Sequence, residues 1–198
     1  MQNNFVRYAA TLAIICLAAS GLLSVVYNVT QPKIAAQAKM EEESALKDVY
    51  PGAARFEPVE GKGNIFYYKA LNVSGDLLGY AFKAEKKGYS STIVTMVGMD
   101  TNGIIQRIKI LSQNETPGLG SRIEEVRQKE TFWDVVLRKA KIAERPRPWF
   151  QTQFESKSYK GLEHNVETIT GATISSLAVI VSVEEKAGKI MESVQDGR

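Results

Sequence analysis

The stretch TIVTMVGMDTNGIIQRIKIL, Thr92 to Leu111, sets two apolar, β-branched runs on either side of Asp100-Thr101-Asn102-Gly103. Asn-Gly between two such runs is a strong hairpin signal, because both residues accept the positive φ that a tight turn between twisted strands demands. Thr92–Met99 and Ile104–Leu111 are therefore predicted strands. In the second, Ile104, Ile108 and Ile110 mix with Gln106, Arg107 and Lys109, the partial alternation of a half-buried strand. Upstream, Ile65–Val73 and Leu77–Glu85 flank the short turn Ser74-Gly75-Asp76 and read as another hairpin. Downstream the pattern changes. Ser121–Lys141 reads as one helix or two short ones, with Ile123, Val126, Phe132, Trp133, Val136 and Leu137 as its apolar positions. Arg145-Pro146-Arg147-Pro148 then breaks the chain. Trp149–Phe154 and Val166–Ile169 are predicted as short strands, and Ile174–Val194 as an amphipathic helix. Hairpins followed by segregated helices point to an α+β fold rather than a doubly wound sheet.

The N-terminal region is different in kind. Tyr8 to Val29, YAATLAIICLAASGLLSVVYNV, holds no charged residue. A membrane-spanning helix needs about 20 apolar residues, whereas the apolar core of a cleaved signal is roughly 7–15 long. The small residues Ala18-Ala19-Ser20 fall inside the apolar run, and Cys16 precedes them, so neither signal cleavage nor lipoprotein processing fits well. An uncleaved anchor is expected. Arg7 on one flank nearly balances Lys33 and Lys39 on the other. The very short N-terminal flank favours an inside start, with the large domain outside the cytoplasm. Gln31–Tyr50 is rich in Ala, Glu, Lys and Met, with Pro32 early, and reads as a separate helix that Pro32 opens and Pro51-Gly52 ends. The expected layout is an anchor over 1–30, a linking helix over 31–50 and one domain over 51–198.

Composition removes several functions. The net charge is +3, with 25 basic and 22 acidic residues, and no basic run stands out, so nucleic acid is not an expected partner. Cys16 is the only cysteine and His164 the only histidine. Disulfides, thiolate-held iron–sulfur clusters and Cys- or His-based metal centres therefore lack ligands in the soluble part. Redox work, if any, falls to an organic carrier.

One stretch suggests such a carrier. Thr170-Gly171-Ala172-Thr173-Ile174-Ser175-Ser176 stands where the strand-like run gives way to the last helix. By itself it serves as an ordinary helix start, since Thr and Ser are common N-caps. Gly171 and Ala172 also strip bulk from beside Thr173. A phosphate on that hydroxyl would meet free N–H groups and the favourable end of the helix dipole, with Thr170 and Ser176 as further hydroxyl donors.

Thr170-Gly171-Ala172-Thr173-x-x-Ser176 resembles the Ser/Thr-Gly-Ala-Thr/Ser-x-x-Ser/Thr flavinylation signature of the FMN-binding domain family. The resemblance implies that Thr173 accepts FMN as a phosphoester, moved from FAD by a separate flavin transferase. Thr170, Gly171, Ala172 and Ser176 would lie beside the cofactor. Glu115-Thr116-Pro117-Gly118-Leu119-Gly120 looks like the same family's Glu-Thr-Pro-Gly-Leu-Gly loop. Read on its own it is a Pro-Gly turn after a strand. Beside a flavin, Gly118 and Gly120 would let the backbone approach a flat ring, Leu119 would lie on its face, Thr116 would bond a polar edge, and Glu115 would orient the loop. Gly88-Tyr89-Ser90-Ser91-Thr92-Ile93 resembles the family's approach to its central strands. Trp133 and Trp149 are available for stacking, although Trp more often fills a core.

The layout as a whole is similar to the RnfG family, the G-type subunits of the Rnf ion-translocating electron-transfer complexes. That likeness implies one membrane helix, then a single FMN-binding domain of antiparallel hairpin strands with flanking helices. It also implies an electron relay through covalent FMN with no separate catalytic site. The implied partners are the other Rnf subunits, a flavin transferase and membrane lipid, with the domain on the periplasmic side of the inner membrane. The C-type subunit of the sodium-pumping NADH:quinone reductase, a stand-alone anchored flavoprotein and a non-catalytic anchored scaffold are the alternatives.

Overall fold

A computed structural model describes residues 2–61, 65–126 and 147–196. The chain forms two compact units, Met1–Glu43 and Ser44–Arg198. The first is almost entirely helix α1 (Gln2–Val49). From Val6 on, α1 is long and apolar enough to cross a membrane. Leu12, Ile15, Leu22 and Val26 all stand exposed along it, an arrangement that water penalises and hydrocarbon does not. Pro32 lies inside α1 and does not start a second helix. Good helix formers follow it in Lys33, Ala35, Ala36, Gln37 and Ala38, and the helix runs through at the cost of the one hydrogen bond that Pro32 cannot donate.

The second unit is built on a five-stranded antiparallel sheet in the order β1-β2-β3-β4-β5. Its strands are β1 (Arg55–Glu60), β2 (Ile65–Leu71), β3 (Leu77–Lys87), β4 (Thr92–Asp100) and β5 (Ile105–Ser112). Every neighbour in the sheet is a neighbour in sequence, so short turns suffice throughout. Both expected hairpins are present. Strand β1 was not anticipated from the sequence. Its residues RFEPVE alternate charge with apolar groups and include Pro58, which an edge strand tolerates because one row of its N–H groups goes unused.

The period-two alternation sends the two sides of the sheet to different partners. Tyr80, Phe82, Ala84, Ile93, Val97 and Met99 face a core that holds α4 (Thr173–Asp196) through Val179, Ile180, Val183, Ala187 and Ile190. Each fully buried Val or Ile among these contributes roughly 1.5–3 kcal/mol. On the other side, Ala81 and Met96 meet Ala45, Leu46 and Val49 from the last turn of α1. A Cβ on Gly98 would stand 2.5 Å from the Val49 carbonyl oxygen, so Gly98 is what lets helix and strand close. Strand β4 is thus covered on both faces.

Two predicted strands are something else. Trp149–Phe154 forms the short helix α2 (Trp149–Thr152) and the turns after it. Phe150 and Phe154 are four apart, both are fully buried, and that spacing is helical. Trp149 packs against the main core edge-on to Phe150. Val166–Ile169 is irregular, because its backbone donors go to local and side-chain partners. Val166 N–H bonds the Leu162 carbonyl at the end of α3 (Leu162–Asn165), Glu167 N–H bonds Gln153 Oε1, and Ile169 N–H bonds Ser176 Oγ. Of the helix expected over Ser121–Lys141, the described part is a 3-10 turn over Gly120–Glu124. Phe132, Trp133, Val136, Leu137, Arg145 and Pro146 lie outside the described residues.

Candidate functional site

The loop that follows β5 is organised by its own side chains. Glu115 N–H bonds Gln113 Oε1, whose amide in turn bonds Glu124. Gly118 adopts φ +75°, and Leu119 N–H closes the turn on the Thr116 carbonyl. Gly118 N–H bonds Ser121 Oγ. The chain then winds into the Gly120–Glu124 turn with Leu119 half exposed.

Glu115 is 5% exposed, and its carboxylate collects five donors. Oε1 accepts Ser90 N–H at 3.0 Å, Ser91 N–H at 2.8 Å and Ser91 Oγ–H at 3.1 Å. Oε2 accepts Tyr89 N–H at 3.2 Å and Ser175 Oγ–H at 2.6 Å. Burial alone would raise the pKa of this group. The bonds from Ser175, Ser91 and Ser90 together outweigh burial and hold it below its ordinary value. Two glycines make the room. A Cβ on Gly88 would fall 2.8 Å from Glu115 Oε1, and one on Gly120 would fall 2.6 Å from Oε2 and 2.7 Å from Ser175 Oγ.

The start of α4 completes the site. Gly171 turns the chain at φ +83°, and Ala172 N–H bonds the Ile169 carbonyl. The Ala172 carbonyl accepts Ser176 N–H, so Ala172 holds the N-cap position and offers no side-chain cap. Thr173 is the first residue of α4 and is exposed. The leading N–H groups of a helix have no partner within it, and here the first turn carries no acid. Arg122 Nη1 donates to the Thr170 carbonyl at 3.2 Å, tying this turn to the loop after β5.

These segments enclose a cavity of about 350 Å³ lined by Tyr89, Glu115, Thr116, Leu119, Gly120, Gly171, Ala172, Thr173, Ile174 and Ser175. Of the residues singled out in the sequence, the fold brings seven to one wall-to-wall site. It leaves Gly118, Thr170 and Ser176 off the lining. Gly118 shapes the loop from behind, Thr170 is exposed and engaged through its carbonyl, and Ser176 is fully buried with Oγ accepting Ile169 N–H. Tyr89, Ile174 and Ser175 line the cavity without having been singled out. A larger concavity of about 680 Å³ beside the β2–β3 turn is lined by Arg55, Glu57, Lys69 and turn residues, and contains no helix terminus or comparable set of hydroxyls.

Residues 88–187 match the model of the FMN-binding domain, slightly over half of the chain. The chain belongs to the FMN-binding domain family. Residues 1–49 also match the RnfG N-terminal region. Among curated relatives, the G-type subunit of the ion-translocating oxidoreductase complex of Methanosarcina acetivorans is 27% identical, covering 99% of this chain and 98% of that protein. The G-type subunit of the proton-translocating ferredoxin:NAD(+) oxidoreductase complex of Clostridium ljungdahlii is 28% identical, covering 96% and 93%. The crystal structure of Shewanella oneidensis NqrC aligns with a TM-score of 0.45 at 14% identity, over 73% of this chain and 74% of that one.

The residues present suit the family's cofactor. A volume of about 350 Å³ lies within the usual range for small-molecule sites, about 300–1,000 Å³. Leu119, Ile174 and Tyr89 offer exposed apolar surface to a flat ring. The uncapped N-terminus of a 24-residue helix, with the Thr173 hydroxyl on it, offers amide donors to a phosphate.

Proposed function

We propose that this protein is the G-type subunit of an Rnf ion-translocating oxidoreductase complex, anchored to the membrane by α1 and relaying electrons through FMN held on Thr173. In this reading residues 1–30 form the anchor, 31–50 the connection and 51–198 the flavin domain. The observation that carries it is the cavity at Thr173: an acceptor hydroxyl, an uncapped helix end and an apolar ring surface meet within one site of a family named for FMN. The end-to-end likeness to the G-type proteins of such complexes supports the assignment.

FMN supplies the redox chemistry, since it takes up two electrons and releases them one at a time. The chain supplies attachment and surroundings. In maturation by a flavin transferase, the Thr173 oxygen bonds the phosphorus of the FMN half of FAD. The pyrophosphate bond breaks, AMP leaves, and the hydroxyl proton passes to a base on the transferase. The helix N–H groups would hold the phosphoester, Thr116 and Ser175 would offer hydroxyls to polar atoms of the cofactor, and Leu119, Ile174 and Tyr89 would offer surface to its ring. The neighbouring redox centres belong to the other subunits, and the domain faces the periplasm, where a tether prevents loss of the flavin by dilution.

The test is direct. Full-length protein made with a flavin transferase is denatured and run on a gel. Wild type is expected to fluoresce under ultraviolet light, Thr173→Ala to be dark, and mass analysis to place the flavin on the peptide containing Thr173. Thr173→Ala is expected to change stability by no more than about 0.5 kcal/mol, because the side chain is exposed. A dark wild-type band leaves an anchored scaffold as the better account.

A further inference from the structure

We propose that Glu115 is a positioning residue for flavin attachment and a fixed negative charge beside the bound ring, and that it makes no hydrogen bond to the cofactor. The inference rests on Thr173 as the acceptor.

The first argument is saturation. A carboxylate has about four lone-pair sites, and Glu115 already receives five donors. Although it lines the cavity, it has no capacity left for a cofactor N–H or O–H. The loop resemblance gives Glu115 the task of orienting the loop beside the cofactor; the geometry extends that task to three segments and takes away any bond to the cofactor.

The second argument is connectivity. The cavity walls come from three separate segments: the turn around Tyr89, the Thr116–Gly120 loop and the Gly171–Ser175 start of α4. One carboxylate joins all three. Other ties among the described residues each join two: Asn114 N–H to Ser91 Oγ at 2.8 Å, the weak Ser90–Thr116 hydroxyl pair at 3.4 Å, and Arg122 to the Thr170 carbonyl. Ser175 lies two residues after Thr173 on the first turn of α4, so its bond to Glu115 fixes the rotation that presents the Thr173 hydroxyl. The absence of a Cβ at Gly88 and Gly120 leaves room for the carboxylate between the segments that it joins.

The third argument is charge. The five donors are those of an anion, since a neutral amide at this position would turn N–H against N–H. A buried negative charge on the cavity wall opposes the addition of electrons to a flavin in that cavity, more strongly than it would in water.

The experiment uses the full chain in detergent with a flavin transferase and FAD, comparing wild type, Thr173→Ala, Glu115→Gln and Glu115→Asp. Attachment rates are measured over a range of FAD concentrations, and the midpoint potential of whatever flavin is attached is read by spectroelectrochemistry. For Glu115→Gln the maximal attachment rate is expected to fall about tenfold or more, with little change in the FAD concentration at half-maximum, as for the loss of one charge-assisted hydrogen bond at the reacting turn. The potential of the attached flavin is expected to rise. Glu115→Asp keeps the charge and shortens the reach, so its attachment is expected to slow without a rise in potential. This variant also carries the test if Glu115→Gln does not fold. A change in folded fraction alone would lower yield without moving the potential. Wild-type attachment rate and unchanged potential in Glu115→Gln, or, where that variant does not fold, wild-type attachment by Glu115→Asp, overturn this inference and leave the Thr173 reading intact. A wild-type chain that takes no flavin overturns the Thr173 reading first.

Discussion

Two turns of the sheet solve one problem in opposite ways. Between β4 and β5, Asp100 Oδ1 accepts the N–H groups of Asn102 at 2.9 Å and Ile104 at 2.8 Å, and Gly103 closes the turn at φ +85°. Both Asp100 partners lie within four residues, and a remote bond to this turn is the Tyr159 N–H donated to the Gly103 carbonyl. Between β3 and β4, the N–H groups of Tyr89, Ser90 and Ser91 also converge on one carboxylate, but it belongs to Glu115, 24–26 residues away. The Asp100 clasp of the first turn is complete once the turn's own residues are in place. The second is complete only after β4 and β5 have folded back and the loop after them has docked. A local clasp orders few residues and serves the sheet. A remote clasp demands more chain ordering, and it brings together segments from which a cavity can be made.

The contrast can be broken at its strongest point by Glu115→Ala. Removing a buried carboxylate strands three backbone donors and two hydroxyls, and a loss of about 3–5 kcal/mol is expected in thermal melts of the full-length protein in detergent. A loss under about 1 kcal/mol would mean the remote clasp matters no more than the local one. Gly120→Ala is expected to cost about 1–3 kcal/mol, since the new Cβ would overlap Glu115 and Ser175 and the carboxylate has nowhere else to go.

Acid sharpens the comparison. The native Glu115 carboxyl lies below its ordinary value of 4.5, so it binds protons less readily than in the unfolded chain. Its contribution is therefore fully present above that ordinary value and is lost as the pH falls through the lowered native one. The melting-temperature gap between wild type and Glu115→Gln is expected to be constant near neutrality and to narrow below pH 4.5. A gap that widens on acidification would contradict the assignment of charge. The smallest effect is expected at the local turn. Asp100→Ala is expected to cost about 1 kcal/mol and to leave flavin attachment at the wild-type rate, because that turn does not line the cavity.

The same division governs what was legible beforehand. Strands β2 to β5, the β4–β5 turn and the long final helix were readable because period and turn chemistry are local signals. Strand β1 was missed, since its charged and proline-bearing residues stand as a strand only with β2 alongside. Trp149–Phe154 was misread because a run of aromatic residues suits either strand or helix, and the i, i+4 burial of Phe150 and Phe154 emerges only in the core. At the site, Thr173, Ala172 and the Thr116–Gly120 loop stood out through their motifs. Tyr89, Ile174 and Ser175 lie within quoted stretches but were given no role, Ile174 and Ser175 because they fill the two unspecified positions of the signature, and only packing turns all three to the cavity.

The order of residues alone determined an apolar helix long enough for a membrane, a meander of hairpins, and a hydroxyl at the head of the last helix, since each depends on neighbours within a few positions. Tertiary structure decided that Glu115 would clasp a turn two strands away, that the last turn of α1 and the length of α4 would take opposite faces of the sheet, and which side chains would wall the cavity. These are contacts between segments far apart in the chain. Only packing, with glycines at Gly88, Gly98 and Gly120 admitting the close approaches, selects among the many pairings that local preference allows.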